Sequence, residues 1–219
     1  MALLRTLTHG IAAVLLAAMT GASCRTANVA AEPPIVQPGA PGESSRVISA
    51  DRAVDLSHVR DTAADVRFMQ GMIGHHAQAV EMTGLLASRT ARQDMRKLAL
   101  RIEVSQTDEI AMMRRWLEVR GREVPGLHAL HAHGATLMPG MLTTEEMARL
   151  AAASGAEFDR LFLEGMIKHH AGALTMVREL FATPGAGQEA EIFAFASDVE
   201  ADQRMEIERM DAMLKELQR

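Results

Sequence analysis

The sequence predicts an all-α protein: a four-helix bundle built from two helical hairpins of one design. Three observations carry this. The stretch Phe68-Met-Gln-Gly-Met72-Ile73-Gly-His75-His76-Ala77 returns 94 residues later as Phe162-Leu-Glu-Gly-Met166-Ile167-Lys-His169-His170-Ala171. A second pattern returns after 97 residues, Ile102, Glu103, Gln106, Glu109, Ile110, Met113 and Leu117 matching Val199, Glu200, Gln203, Glu206, Ile207, Met210 and Leu214. No stretch alternates with period two, so no sheet is expected. One hairpin cannot bury its own apolar stripe, whereas two packed together can.

The elements follow in order. Met1–Arg5 is weakly basic, Ile11–Met19 is apolar, and Gly21-Ala-Ser-Cys24 supplies small residues before a cysteine. That is the pattern of an export signal, and the run is short of the ~20 residues that a membrane-spanning helix needs. The cysteine after small residues resembles a bacterial lipobox, which would make Cys24 a lipidation site and residues 1–24 a signal peptide of lipoprotein type. Residues 25–54 are rich in Ala, Pro, Gly and Ser and read as a disordered tether. The bundle domain then occupies residues 55–219.

Phe68, Met72, His75, Met82 and Leu86 recur at helical spacing, so a first helix runs from about Asp61 to about Ser88. Thr90-Ala-Arg-Gln93 has the form of a capping box and opens a second helix that stops at Gly121. Pro125, Gly126, Gly134 and Pro139-Gly140 make the next stretch a connection. Thr143-Thr-Glu-Glu146 is a capping pattern for a short extra helix within it, and Ser154-Gly-Ala-Glu157 is another for the third long helix. That helix ends before Pro184-Gly185, and a fourth runs from about Gln188 to the C-terminus.

Composition narrows the chemistry. The chain has 16 Met and 9 His, with the histidines clustered, no Tyr and one Trp. A net charge of −5 leaves no basic patch for a nucleic-acid partner. The single cysteine excludes an intramolecular disulfide.

On a helix, Met72 lies on one face with His75 and His76, and Met166 likewise with His169 and His170. Adjacent histidines diverge by about 100°. They cannot both bind one ion from a regular helix, so one of each pair should face the interior and the other a helix seam. A symmetric pairing would then bring one His and one Met from each hairpin to a shared centre. Imidazole accepts zinc, copper, iron or nickel, and thioether selects soft copper(I) or silver(I). Di-iron bundles need Glu-x-x-His; here Met-x-x-His stands instead, against that chemistry. The metal-ligand candidates are therefore Met72, His75, His76, Met166, His169 and His170, with the repeated Met113 and Met210. Gln106 and Gln203, with Glu103 and Glu200, are candidates to orient the imidazoles. The connection adds His131 and His133, then Met138-Pro-Gly-Met141, as a second candidate tract. For other methionines, core packing is the simpler reading.

The combination Met-Ile-x-His-His-x-x-Ala, Gln-x-x-Glu-Ile-x-x-Met, Met-Pro-Gly-Met-Leu-Thr-x-x-Glu and a second Met-Ile-x-His-His resembles the Domain of Unknown Function 305 family, over about Asp61 to Leu217. The resemblance implies a ferritin-like helical bundle in an exported bacterial protein, with some members being periplasmic copper-binding proteins. Its motifs fall on Met72, His75, His76, Met166, His169, His170, Met138 and Met141.

The expected function is an exported protein, periplasmic or lipid-anchored, that buffers, sequesters or delivers copper(I) or silver(I). Zinc is an alternative ion. A metal-dependent enzyme oxidising cuprous ion, and a structural or partner-binding bundle without metal, are the competing readings. The metal ion is the expected partner, a membrane only through the lipid anchor, and a homo-oligomer is compatible with the pattern.

Overall fold

The computed structural model describes residues 33–37, 44–55, 59–127 and 137–217. The chain divides into two compact units, Met1–Asp55 and Leu56–Arg219. In the first, β1 (Ile35–Gln37) pairs antiparallel with β2 (Arg46–Ile48), Val36 opposite Val47. A short helix, α1 (Ala50–Val54), follows, capped by Ser49. This corrects the expectation of no sheet. The strands are β-branched, which suits extended pairing, but three residues are too few to show a period.

The second unit is all helix. It contains α2 (Ala63–Gly84), α3 (Leu86–Arg89), α4 (Gln93–Val119), α5 (Thr144–Ala152), α6 (Gly155–Ala182) and α7 (Ala190–Leu217). The hairpins are α2 with α4 and α6 with α7, and they join mainly through α2 and α6. The short α5 lies in the central connection. No helix among the described residues is long and apolar enough to cross a membrane.

Local chemistry sets the helix ends. Thr62 and Asp65 form a reciprocal capping box at the start of α2. Asp65 also accepts the Gly187 N–H at 2.7 Å, which ties this end to the turn between α6 and α7. Thr143 and Glu146 form the expected box on α5. The other two expected boxes do not form. Because α3 occupies the chain up to Arg89, Thr90 ends that helix, and α4 starts with Arg92 as its N-cap. Ser154 makes no capping bond, and Glu157 pairs instead with Arg160. At the end of α4, Gly121 takes φ +60°, and the Arg122 N–H reaches back to the Leu117 carbonyl. This is a Schellman stop, open to glycine because it lacks a Cβ.

The core has two apolar clusters at opposite ends of the bundle. One joins Phe68, Met72, Ile110, Met113, Val177, Leu180 and Phe195, and the other joins Met82, Leu98, Ile102, Phe158, Phe162, Met166 and Met210. Early α2 thus meets late α6, and late α2 meets early α6, so the two run antiparallel. The duplicated motif packs against itself. Met176 Cε lies 3.4 Å from the place a Cβ on Gly71 would take, and Met82 Cε lies 3.3 Å from that on Gly165. Each copy's glycine is the hole for the methionine that follows the other copy.

The connection after residue 137 is pinned across this interface. The Gln78 side chain bonds both the N–H and the carbonyl of Leu142, at 2.7 and 2.9 Å. The turn at Pro139-Gly140 lies against Gly172, where a Cβ would collide with the Pro139 carbonyl. Gly172→Ala is therefore expected to destabilise the protein by about 1–3 kcal/mol, as overpacking against backbone does. Gly84→Ala, in open space on α2, should stabilise it by about 0.4–1 kcal/mol. Urea midpoints of the two variants test the opposite signs.

Candidate metal centre

Between the two apolar clusters lies a polar layer. His75, His76, His169 and His170 are fully buried, and Gln106, Gln203 and Glu206 nearly so. Opposite halves of antiparallel helices bring them to one level. His75 on α2 meets His169 on α6 with ring centroids 3.8 Å apart. His76 lies 6.3 Å from His75, and His170 lies 6.2 Å from His169. The rings form a row: His76, His75, His169, His170.

The row ends on carboxylates. His76 Nε2 is 2.6 Å from Glu109 Oε2 on α4, and His170 Nε2 is 2.7 Å from Glu206 Oε2 on α7. The inner rings donate to backbone. His169 Nε2–H donates to the His75 carbonyl at 2.9 Å, and His75 Nε2–H donates to the Pro139 carbonyl at 3.0 Å. A carbonyl only accepts, so in the inner rings Nε2 carries the hydrogen. So one His of each pair faces the interior and the other lies on the seam within its own hairpin.

The fit to a metal ion can be judged from the nitrogens left over. Nδ1 of His76, His169 and His170 is buried with no hydrogen-bond partner among the described residues. Burying such an atom unmet costs about 1–3 kcal/mol. With Nε2 held by an oxygen, each Nδ1 lone pair is the atom a metal would take, and Glu109 and Glu206 stand as the carboxylates that fix ring orientation behind such a ligand. Among the described residues, no group of three or more His, Cys, Asp or Glu side chains is arranged to hold an ion by itself.

The other candidates are placed as follows. Met72, Met113, Met166 and Met210 are fully buried. Met72 and Met113 belong to one apolar cluster, Met166 and Met210 to the other. Because α2 and α6 are antiparallel, Met72 and Met166 lie on opposite sides of the imidazole layer, one in each apolar cluster. Met141 is buried, and Met138 Sδ lies 3.1 Å from the place a Cβ on Gly71 would take, next to Met72 in sequence. His131, His133 and Cys24 lie outside the described residues.

Glu103 and Glu200, the glutamates expected from the repeat to orient the rings, form no hydrogen bond or ion pair with them among the described residues. Glu103 is exposed, and Glu200 pairs with Arg204. Glu109 and Glu206 hold the imidazoles instead. Both pairs recur at the same offset and sit three residues from the buried glutamine, so periodicity could not say which flank of the stripe borders the neighbouring helix. Gln106 Oε1 and both polar atoms of the Gln203 side chain have no hydrogen-bond partner among the described residues.

Burial pushes the His169 imidazole well below its usual range, aided by repulsion from His75, His170 and His76 and opposed by its bond to the His75 carbonyl. Burial raises Glu109, but the hydrogen bond and charge of His76, the Ser105 hydroxyl and the charge of His170 outweigh it and hold the carboxyl below its usual range. Both shifts have the same sign in stability. The unfolded chain takes up a proton on His169 near pH 6.5 that the folded chain refuses, so stability falls as pH drops below that value. Glu109 adds to the loss below its own unfolded pKa. The metal-free protein should therefore have a urea midpoint that is level above pH 7 and falls below pH 6.5. His169 contributes at most about 1.4 kcal/mol per pH unit, and His169→Gln should flatten that part of the curve.

With this geometry in view, the protein was compared with known ones. Residues 65–214 match the family described as domain of unknown function DUF305. Among solved structures, the chain is similar to a DUF305 protein of Streptomyces coelicolor described as secreted, at 29% identity and TM-score 0.62, covering 70% of this chain and 93% of that one. It is similar to a DUF305 fragment from Deinococcus radiodurans at 32% identity and TM-score 0.60, covering 71% and 98%. CopM in its Cu(I)-bound form is similar at 27% identity and TM-score 0.55, covering 69% and 96%. CopM also has Cu(II)-bound and Ag-bound forms. No curated protein matches the chain. The family match spans the four long helices and both His-His motifs, and the chain belongs to the DUF305 family.

Proposed function

We propose that this protein is an exported carrier of soft monovalent metal, binding copper(I) or silver(I) as cargo in order to buffer, sequester or deliver it. The observation that carries this reading is the row of four buried imidazoles, half from each hairpin, with Nδ1 of His76, His169 and His170 left without a hydrogen bond among the described residues. No cage of nitrogen and oxygen donors stands ready among the described residues, so a bound ion draws its remaining donors from thioethers. Met72 and Met166 sit one turn from the histidines on the same helix faces, with Met113, Met210, Met138 and Met141 as further sulfur. Thioether with imidazole selects the soft, monovalent ion over harder divalent ones. The bundle it shares with metal-bound CopM supports the same direction. Export rests on the N-terminal pattern, with Cys24 as the proposed lipid attachment site and His131 and His133 as added ligands in the connection.

The chemistry needed is binding and release, for which the layer is suited. His169, held neutral by burial, presents its Nδ1 lone pair without a proton to displace. The carboxylate behind each outer ring fixes its angle.

Titration of the purified protein against a chromophoric copper(I) chelator should show binding far tighter than millimolar. Replacing His75 and His169 together with Ala should weaken it at least about tenfold, the scale seen when a metal site loses its supports. Binding no tighter than millimolar in the wild-type protein would sink the proposal.

A further inference from the structure

The two hairpins are alike in the polar layer but differ at its two ends. At the Glu206 end, Arg101 of α4 lies 3.5 Å from Glu206 Oε1, and the Glu206 side chain is 7% exposed. The 97-residue offset that pairs Glu109 with Glu206 also pairs Arg101 with Asp198. At the Glu109 end the corresponding residue is therefore an acid, and the Glu109 side chain is 21% exposed. A cavity of about 660 Å³ opens there between α4 and α7. Its lining includes Asp108, Glu109, Asp198 and Asp202, with Trp116 and Phe195 as apolar wall. Arg120, also on the lining, is tied to Glu189 and Glu191, which leaves Arg115 as the other cation there. Directly behind Glu109 stands His76, fully buried, its Nδ1 without a hydrogen-bond partner among the described residues.

We propose that the cargo cation enters and leaves the imidazole row at one end only, through this acid-lined cavity between α4 and α7, with Asp198 as the residue that draws it in. The inference rests on the soft-metal reading above. Carboxylates lining a low-dielectric cleft raise the local concentration of cations and their rate of arrival. Being hard oxygen donors, they hold copper(I) or silver(I) weakly, so they let the ion move on past Glu109 toward the imidazole row rather than trap it. At the opposite end the Arg101 guanidinium sits on Glu206 and repels a cation. The repeat would make two equivalent doors, and the exchange of Arg for Asp leaves one.

The test is the rate of copper(I) uptake from a weak chromophoric complex by the full-length protein at low ionic strength, with the equilibrium affinity measured alongside. Asp198→Arg copies the closed end. It should slow loading about tenfold, the lower part of the range for electrostatic steering, with affinity unchanged within about twofold because Asp198 is exposed and forms no hydrogen bond or ion pair with an imidazole among the described residues. Asp198→Asn should fall between. In the wild-type protein, added salt should slow loading, since it screens the acids. Asp198 is exposed on α7, so the fold should survive, which a melting curve confirms. Intact affinity with an unchanged loading rate in Asp198→Arg would overturn the one-ended route and leave the soft-metal reading standing. So would faster loading in Arg101→Asp with no effect of Asp198→Arg. No copper(I) binding by the wild-type protein would overturn both.

Discussion

At the middle of the bundle the His75 and His169 rings meet across the α2–α6 interface, 3.8 Å between centroids, in an otherwise apolar core. Two cations could not sit there, so burial requires these imidazoles to be neutral, and His169 is driven far in that direction. Each ring has an Nε2 hydrogen to place. The hydrogens go to carbonyl oxygens for the inner rings and to Glu109 and Glu206 for the outer ones. The rest of the molecule serves this layer. Two apolar clusters close it from above and below, and the helices that carry it are held in register by reciprocal glycine–methionine contacts.

Duplication explains most of this arrangement, and its failures are informative. His169 bonds the carbonyl of its counterpart, His75, but His75 does not bond His169 in return. It bonds Pro139, in the connection between hairpins. Two hairpins in one chain share a single connection between them, so the symmetry must break where it crosses. Position 78 is Gln and its counterpart 172 is Gly, and both serve the crossing segment. The glutamine grips Leu142, and the glycine makes room for Pro139-Gly140. This brings Met138 onto Gly71, beside the first Met-x-x-His-His copy, whereas Leu142 and Met82 are the neighbours of Gly165 in the second. The two halves of the layer are thus chemically similar but differently covered, and the ends differ in charge as well.

The helical hairpins, their duplication and the identity of the buried stripe were legible in the chain because they depend on spacing along one helix. So was the divergence of adjacent histidines into an inner and an outer ring, which is a property of 3.6 residues per turn. Capping was only partly legible. Thr90 and Ser154 have the right letters, but a neighbouring helix or a competing arginine claims their partners, while Thr62 with Asp65 caps α2 using a shorter acid. The pair β1 and β2 escaped notice because three residues show no period.

Sequence by itself determined that four helices would pair as two copies and that Met and His would share their inner faces. It determined this because identical spacing forces identical local structure. Only the tertiary structure decided which groups meet. The antiparallel α2 and α6 put the histidines level but set Met72 and Met166 on opposite sides of the layer, so the repeat does not place the two thioethers side by side. It also decided that Glu109 and Glu206, not Glu103 and Glu200, hold the outer rings. Both sets flank the same stripe, and only the rotation of each packed helix says which flank faces a neighbour.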